Sequence, residues 1–403
     1  MPITALNLVG RTLSRAGLRI GSLDEEKLLA AARREANSVD FGTNEYVEPM
    51  RELLSALERD ARLNFVGRFA VRSQIVTLLA NRARMQEWWT KHPEILATPI
   101  VAPWFVVGLP RSGTTLLQHL LACDPANRSL RFWEATHPAP PPDRATYSSD
   151  PRIAAARRAQ RVLDYVAPDA NAIHPVGAEA PTECVSLLAH SFASLEFGVI
   201  NHVPSHVEWC LAADLKPHYQ YLREQLQLLQ WRCSATRWAL KSPAHLMALD
   251  ALFDTFPDAR VVWLHRDPVT AVTSHCSLAA VLRAIGTNHV DPHSIGREWP
   301  LTWERVLERA LTSRSRLGDA RFIDVRYDDL LADSVGTIRD LYRRLGAVLE
   351  PSVETQVREY LGSHPQRASG THDYSPADFG LDVNALRDRF SAYTARFPDD
   401  AGR

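Results

Sequence analysis

The stretch Phe105-Val-Val-Gly-Leu-Pro-Arg-Ser-Gly-Thr-Thr-Leu-Leu-Gln-His-Leu-Leu121 constrains this chain more than any other. The apolar run Trp104–Val107 reads as a short buried strand. Gly108 breaks the run, Pro110 and Gly113 punctuate a turn, and Thr114–Leu121 carries a helical apolar pattern. A strand, a glycine-containing turn and a helix together aim backbone N–H groups at an anion, and the helix dipole adds to the attraction. The spacing is that of a phosphate-binding loop, G-x-x-x-x-G-[KT]-T, but Thr114 stands where the usual lysine would be and Arg111 lies inside the loop. Arg111, Ser112, Thr114 and Thr115 at one turn are more polarity than a connector needs. The loop is therefore expected to hold a phosphate-like group that does not depend on that lysine.

The rest of the chain supplies a frame for such a loop. Residues 24–92 read as helices at Glu25–Asn37, Val47–Arg62 and Arg68–Lys91, and no chemical constellation stands out among them. Pro93 and Pro99 separate them from the loop strand, and residues 136–151 are a proline-rich, irregular connection. Helices are expected at 151–165, 180–197 and 216–232. Short apolar runs at Trp238–Leu240, Arg260–His265 and Arg321–Val325 read as strands, with helical patterns near 243–256, 268–285 and 334–346. Strands alternating with helices predict an α/β fold, a P-loop-like, mostly parallel sheet flanked by helices. The expected division is an N-terminal helical extension over residues 1–95 and an α/β domain over residues 96–403. Ligands of such sheets sit beyond the carboxyl ends of the strands.

Composition narrows the function classes. A formal net charge of −1 gives no global field favouring nucleic acid. The five cysteines, Cys123, Cys184, Cys210, Cys233 and Cys276, are dispersed, with no C-x-x-C. That pattern argues for a reducing, cytoplasmic compartment and against a zinc site. No apolar run reaches the ~18 residues of a membrane helix, and residues 1–22 lack the apolar core of a secretory signal. Arg11, Arg15 and Arg19 there suit a docked terminal helix with a basic edge, or a helix lying on a membrane.

Two further constellations are predicted to point at the same edge of the sheet. In Val261-Val-Trp-Leu-His-Arg-Asp-Pro268, Arg266 would emerge just after a strand, and Ser274 lies about two helical turns on. An arginine with a hydroxyl is a good clamp for a second phosphate. His265-Arg-Asp is also found in protein kinases, but the catalytic-loop asparagine and a later Asp-Phe-Gly are missing. In Trp238-Ala-Leu-Lys-Ser-Pro-Ala-His245, Lys241 closes a strand and can act as a point charge on a leaving oxygen. His245 suits a base or a buried capping group equally well.

As a set, these motifs resemble the sulfotransferases that use 3′-phosphoadenosine 5′-phosphosulfate (PAPS), in the bacterial branch similar to tyrosylprotein sulfotransferases. The resemblance covers roughly residues 100–385. It implies that Pro110-Arg-Ser-Gly-Thr-Thr115, with Arg111, Ser112, Gly113, Thr114 and Thr115, holds the 5′-phosphosulfate. It also implies that Arg266 and Ser274 read the 3′-phosphate and that Tyr327, in Arg326-Tyr-Asp-Asp-Leu330, lies by the nucleotide. Lys241 matches the lysine that stabilises the leaving group. Glu134, in Trp133-Glu134 after Asp124-Pro125, matches the position of the base, with Glu179 and Glu183 as rivals. The chain departs from the mammalian cytosolic type, which has a lysine in the loop, a histidine base and a terminal Gly-Lys-Lys-Gly; Arg367-Ala-Ser-Gly-Thr-His-Asp-Tyr374 occupies that last place. The implied acceptor is the hydroxyl or phenol of a small or lipid-like molecule, with no metal required. A P-loop kinase for small molecules and an inert nucleotide-binding module remain the alternatives.

Overall fold

A computed structural model describes residues 21–166, 177–364 and 374–398. Trp104–Gly108 forms β1, and all five of its residues are buried. A strand buried on every residue must be covered on both faces, which requires a parallel sheet between helical layers. β2 (Asn127–Arg128), β3 (Arg237–Lys241), β4 (Arg260–His265) and β5 (Phe322–Arg326) complete one sheet in the order β2-β3-β1-β4-β5. Every pairing is parallel; Phe105 faces Leu240 on one side and Val261 on the other. From β1 the chain builds one half of the sheet, then crosses to build the other. The reversal opens a crevice beyond the carboxyl ends of β1, β3 and β4.

Alternation along the strands feeds two cores. Phe105, Val107, Leu240, Val261 and Trp263 point into one. Trp104, Val106, Ala239, Val262 and Leu264 point into the other. Among the described residues one helix, Pro268–Gly286, is long and apolar enough by length and composition to cross a membrane, a mark that a buried core helix also carries. Most of that helix is buried, and its apolar face belongs to the first core.

The N-terminal helices are α1 (Glu25–Ala36), α2 (Val47–Arg59) and α3 (Phe65–Lys91). Asp24 caps the first through the Lys27 amide, and Asn37 closes it in the left-handed region at φ 52°. The third starts three residues before the expected Arg68, because the Asn64 side chain caps the Gly67 amide at 2.8 Å. Their core, with Leu53, Ile75 and Leu79, is completed by Phe192, Phe197 and Val203 from far along the chain. Arg82 of α3 is fully buried, stacked over Tyr46 and Tyr221 at 4.3 and 4.2 Å, and donates to the carbonyls of Phe41, Thr43 and His190.

The helix expected over 180–197 is instead three short pieces, Val185–Leu188, a 3-10 turn at Ala189–Ser191, and Glu196–Ile200. Phe192 in the left-handed region at φ 59° ends the first run, and Ser191 and Ser194 hydroxyls donate to the carbonyls of Leu188 and Val185. Serines that bond the backbone locally compete with a continuous helix. The bend directs Glu183 and Glu196 toward one region rather than along a single helix face.

Candidate active site

The loop after β1 runs directly into α4 (Thr114–Leu121). No side chain caps the first turn of that helix, so its leading amides face the crevice without a competing protein oxygen. Ser112 is fully buried, and its hydroxyl donates to the Leu109 carbonyl at 2.6 Å. Its side chain shapes the turn rather than presenting an oxygen to a ligand. Gly113 has φ 87°, and a Cβ there would lie 2.7 Å from the Tyr327 ring. Gly113→Ala combines left-handed strain with that overlap. It is expected to push Tyr327 off the loop and to weaken nucleotide binding at least tenfold by isothermal titration, roughly the 1–3 kcal/mol of such strain.

Two guanidinium groups crowd the same loop. Arg111 sits in the left-handed region at φ 66°, and its Nε donates to the Ser274 hydroxyl at 3.2 Å. Arg266, just past β4, donates to the Arg111 carbonyl and lies 4.3 Å over the Tyr327 ring. Burial lowers the pKa of Arg111 below its ordinary value, with Arg266 pressing the same way and Tyr374 and Tyr327 opposing. Arg266 has no carboxylate partner among the described residues. Two guanidinium groups gathered at one buried loop make a receptor for an anion. Ser274, Arg111, Arg266 and Tyr327 are thus brought together, as expected; of the segment Arg367–Tyr374 only Tyr374 lies within the described residues.

Lys241 ends β3 and its side chain is only 2% exposed. Its Nζ pairs with the Glu183 carboxylate and donates to Thr115 Oγ1 at 3.3 Å. The backbone holds this pair in place. The Cys184 amide donates to the Lys241 carbonyl at 2.9 Å, and the Gln118 side chain of α4 donates to the Thr182 carbonyl at 2.8 Å. Glu183 therefore stands between the loop helix and β3, with its side chain 23% exposed to the crevice.

Glu134 does not stand beside Lys241. It lies in the helix α5 (Phe132–Thr136), fully buried. One oxygen accepts from the Arg131 amide at 3.0 Å, closing a capping box, and the other accepts from Arg128. Arg128 in turn stacks 4.5 Å over Trp238. A carboxylate whose two oxygens are occupied, with no solvent-facing surface, is poorly placed to take a proton from an incoming hydroxyl, so the geometry speaks against the expected base. Of its rivals, Glu179 pairs with Arg157 on the surface, and Glu183 faces the crevice. His245 is fully buried, bonded to the Tyr219 hydroxyl at 2.7 Å, and burial drives its pKa down to about 3. It acts as core.

Glu196 had no sequence signal. It accepts from the Ser186 hydroxyl at 3.2 Å and from Gln74 of α3 at 3.4 Å. Burial, with the nearby Glu183 charge adding, pushes it up to about 7, although the Ser186 bond opposes the shift. Its surface is still partly exposed.

A model of the sulfotransferase family matches residues 103–351, more than half of the chain. The chain belongs to the sulfotransferase family. It is a transferase with the α/β fold of that family. It is 26% identical over 276 residues to the omega-hydroxy-beta-dihydromenaquinone-9 sulfotransferase Stf3 of Mycobacterium tuberculosis and of Mycobacterium bovis, a match covering 67% of this chain and 68% of theirs. The crystal structure of sulfotransferase STF9 from Mycobacterium avium superposes with a TM-score of 0.86 at 29% identity, covering 94% of this chain and 97% of that one. Sulfotransferase STF1 of Mycobacterium tuberculosis superposes with a TM-score of 0.79 at 35% identity, covering 92% and 98%. Both superpositions extend past the matched family region, so the helices before β1 have counterparts in those sulfotransferases.

Proposed function

We propose that this sulfotransferase moves the sulfuryl group of PAPS to a hydroxyl, with Lys241 stabilising the leaving oxygen and Glu183 acting as base. The observation that carries the reading is the Lys241–Glu183 pair meeting Thr115 at the uncapped start of α4. The amides of that turn, with Arg111, Thr114 and Thr115, bind the 5′-phosphosulfate. Arg266 and Ser274, joined through Arg111, bind the 3′-phosphate, and Tyr327 packs beside Arg266.

In the reaction one S–O bond breaks, releasing adenosine 3′,5′-bisphosphate, and a new S–O bond forms to the acceptor oxygen. As in phosphoryl transfer, the protein's work is positioning and neutralising charge. Lys241 Nζ lies by Thr115 at the loop, where it offsets the negative charge growing on the departing oxygen. Glu183, beside the same ammonium, takes the acceptor's proton. Burial of Lys241 makes its charge more effective than it would be in water.

The acceptor is a small or lipid-like alcohol or phenol. The likeness to Stf3, whose name records a hydroxylated menaquinone derivative, supports the lipid-like end of that class. The five free thiols fit a cytoplasmic setting.

Arg266→Ala tests the donor. It should weaken adenosine 3′,5′-bisphosphate by about 1.5–3 kcal/mol, the worth of a charge-assisted hydrogen bond, and adenosine 5′-phosphate far less, both measured by isothermal titration. Equal losses would mean that Arg266 does not read the 3′-phosphate.

A further inference from the structure

Outside the crevice, the helix Pro151–Val166 carries a solvent-exposed basic face. Its inward residues Ile153 and Ala156 are each 5% exposed and pack with Trp133 and Ala178. At 100° per residue, Arg158, Val162 and Tyr165 fall on the opposite side, with Arg161 at its edge and Arg157 on the flank. Val162 is 63% exposed and Tyr165 73%. Arg157 pairs with Glu179, while Arg158 and Arg161 form no ion pair among the described residues. Asp164 lies at the flank and is engaged by Gln160. An open groove runs along this face, lined by Ala154, Arg157, Arg158, Gln160, Arg161 and Ala178.

We propose that this face docks the enzyme on an anionic lipid bilayer. The arginines would meet headgroup phosphates, with Val162 and Tyr165 dipping into the boundary between headgroups and chains. Arginines flanked by exposed apolar and aromatic residues are the make-up of a helix that lies in a membrane interface. A net charge of −1 supplies no general attraction to such a surface, so the binding depends on this patch.

Position gives the face a purpose. The helix packs on Ala178, and Ala178, Ala180 and Thr182 hydrogen-bond the 130–133 segment in register. Glu179, the partner of Arg157, is four residues before Glu183, at most about 14 Å along an extended chain. A bilayer held here would lie beside the mouth of the crevice, within reach for a lipid-like acceptor. The docking stands on the helix face alone and does not require the proposed chemistry.

The test is co-sedimentation of the full chain with vesicles at low salt. Wild type should bind phosphatidylcholine vesicles containing phosphatidylglycerol and not vesicles of phosphatidylcholine alone. The triple variant Arg157→Gln/Arg158→Gln/Arg161→Gln should lose at least about tenfold in partitioning, and Val162→Ser/Tyr165→Ser should lose a few-fold. Both variants should melt as wild type does and bind adenosine 3′,5′-bisphosphate normally, which separates this proposal from the nucleotide reading. Two results overturn it. One is a wild type that ignores anionic vesicles, leaving the face to an acidic protein partner. The other is a triple variant that still binds them, which would place the contact elsewhere, such as the basic segment Arg11–Arg19.

Discussion

Lys241→Ala is expected to lower turnover by on the order of 10²–10³-fold, while the affinity for adenosine 3′,5′-bisphosphate changes much less. The asymmetry follows from where the charge is needed. In the proposed mechanism the donor's anionic groups are held in the ground state by the loop amides and by Arg111 and Arg266. The departing oxygen gains its charge only as the S–O bond breaks, and Lys241 is the ammonium beside Thr115 at that point. Its near-complete burial magnifies the effect, since little water can substitute for it. Loss of the ammonium leaves Glu183 unpaired, but Glu183 is partly exposed and water can solvate it, so the variant should fold. Lys241→Arg keeps the charge but not the compact point geometry, and should recover only part of the rate. Single-turnover kinetics with PAPS separate chemistry from binding. An unchanged chemical step in Lys241→Ala would remove the residue from the mechanism.

Glu183→Gln should cost about 10²–10⁴-fold in turnover, the usual range for general-base assistance, and should leave stability nearly unchanged. Glu134→Gln should do the reverse. Among the described residues its carboxylate is the only ion partner of Arg128, and Glu134 itself has no exposed surface. Breaking a buried pair by neutralising one member costs about 3–5 kcal/mol. The variant should therefore melt several degrees lower, with near-normal turnover per folded molecule. Parallel measurement of melting temperature and single-turnover rate gives opposite patterns for the two variants. The reverse pattern, with Glu134→Gln stable and inactive, would restore Glu134 as the base.

The two glutamates show what the sequence conveyed and what it withheld. The loop from Trp104 to Leu121 was legible because strand, turn and helix occupy consecutive residues, and local periodicity carries that information. β4 is Arg260–His265 as expected, since its apolar run is unbroken. The placement of Arg266 and Lys241 at one edge of the sheet was legible because each lies at or just past the carboxyl end of a strand, and a parallel sheet gathers all such ends. Glu134 lies in a single five-residue helical turn and Glu183 in an irregular connection, both too short for periodicity to set direction. Choosing between them depends on contacts that periodicity does not encode: the Arg128 side chain claims one, and the distant Lys241 carbonyl draws the other in through Cys184. The broken 180–197 segment was missed for a similar reason. Its apolar pattern suits a helix, and the serine hydroxyls that end it act through the backbone. The two-residue β2 is too short for any pattern to mark it. Gln74 and Glu196 meet across 122 positions, beyond what local pattern can convey.

The central claim, that the crevice is built for a 3′,5′-bisphosphorylated adenosine, is tested most directly by thermal unfolding with nucleotides in the presence of a metal chelator. At a hundredfold excess over its dissociation constant, a ligand adds about 2.7 kcal/mol to stability. Adenosine 3′,5′-bisphosphate is expected to raise the melting temperature by several degrees without magnesium, adenosine 5′-phosphate by less, and ATP not at all. Stabilisation by ATP with magnesium and none by the bisphosphate would contradict the account and point to a phosphoryl-transferring site instead.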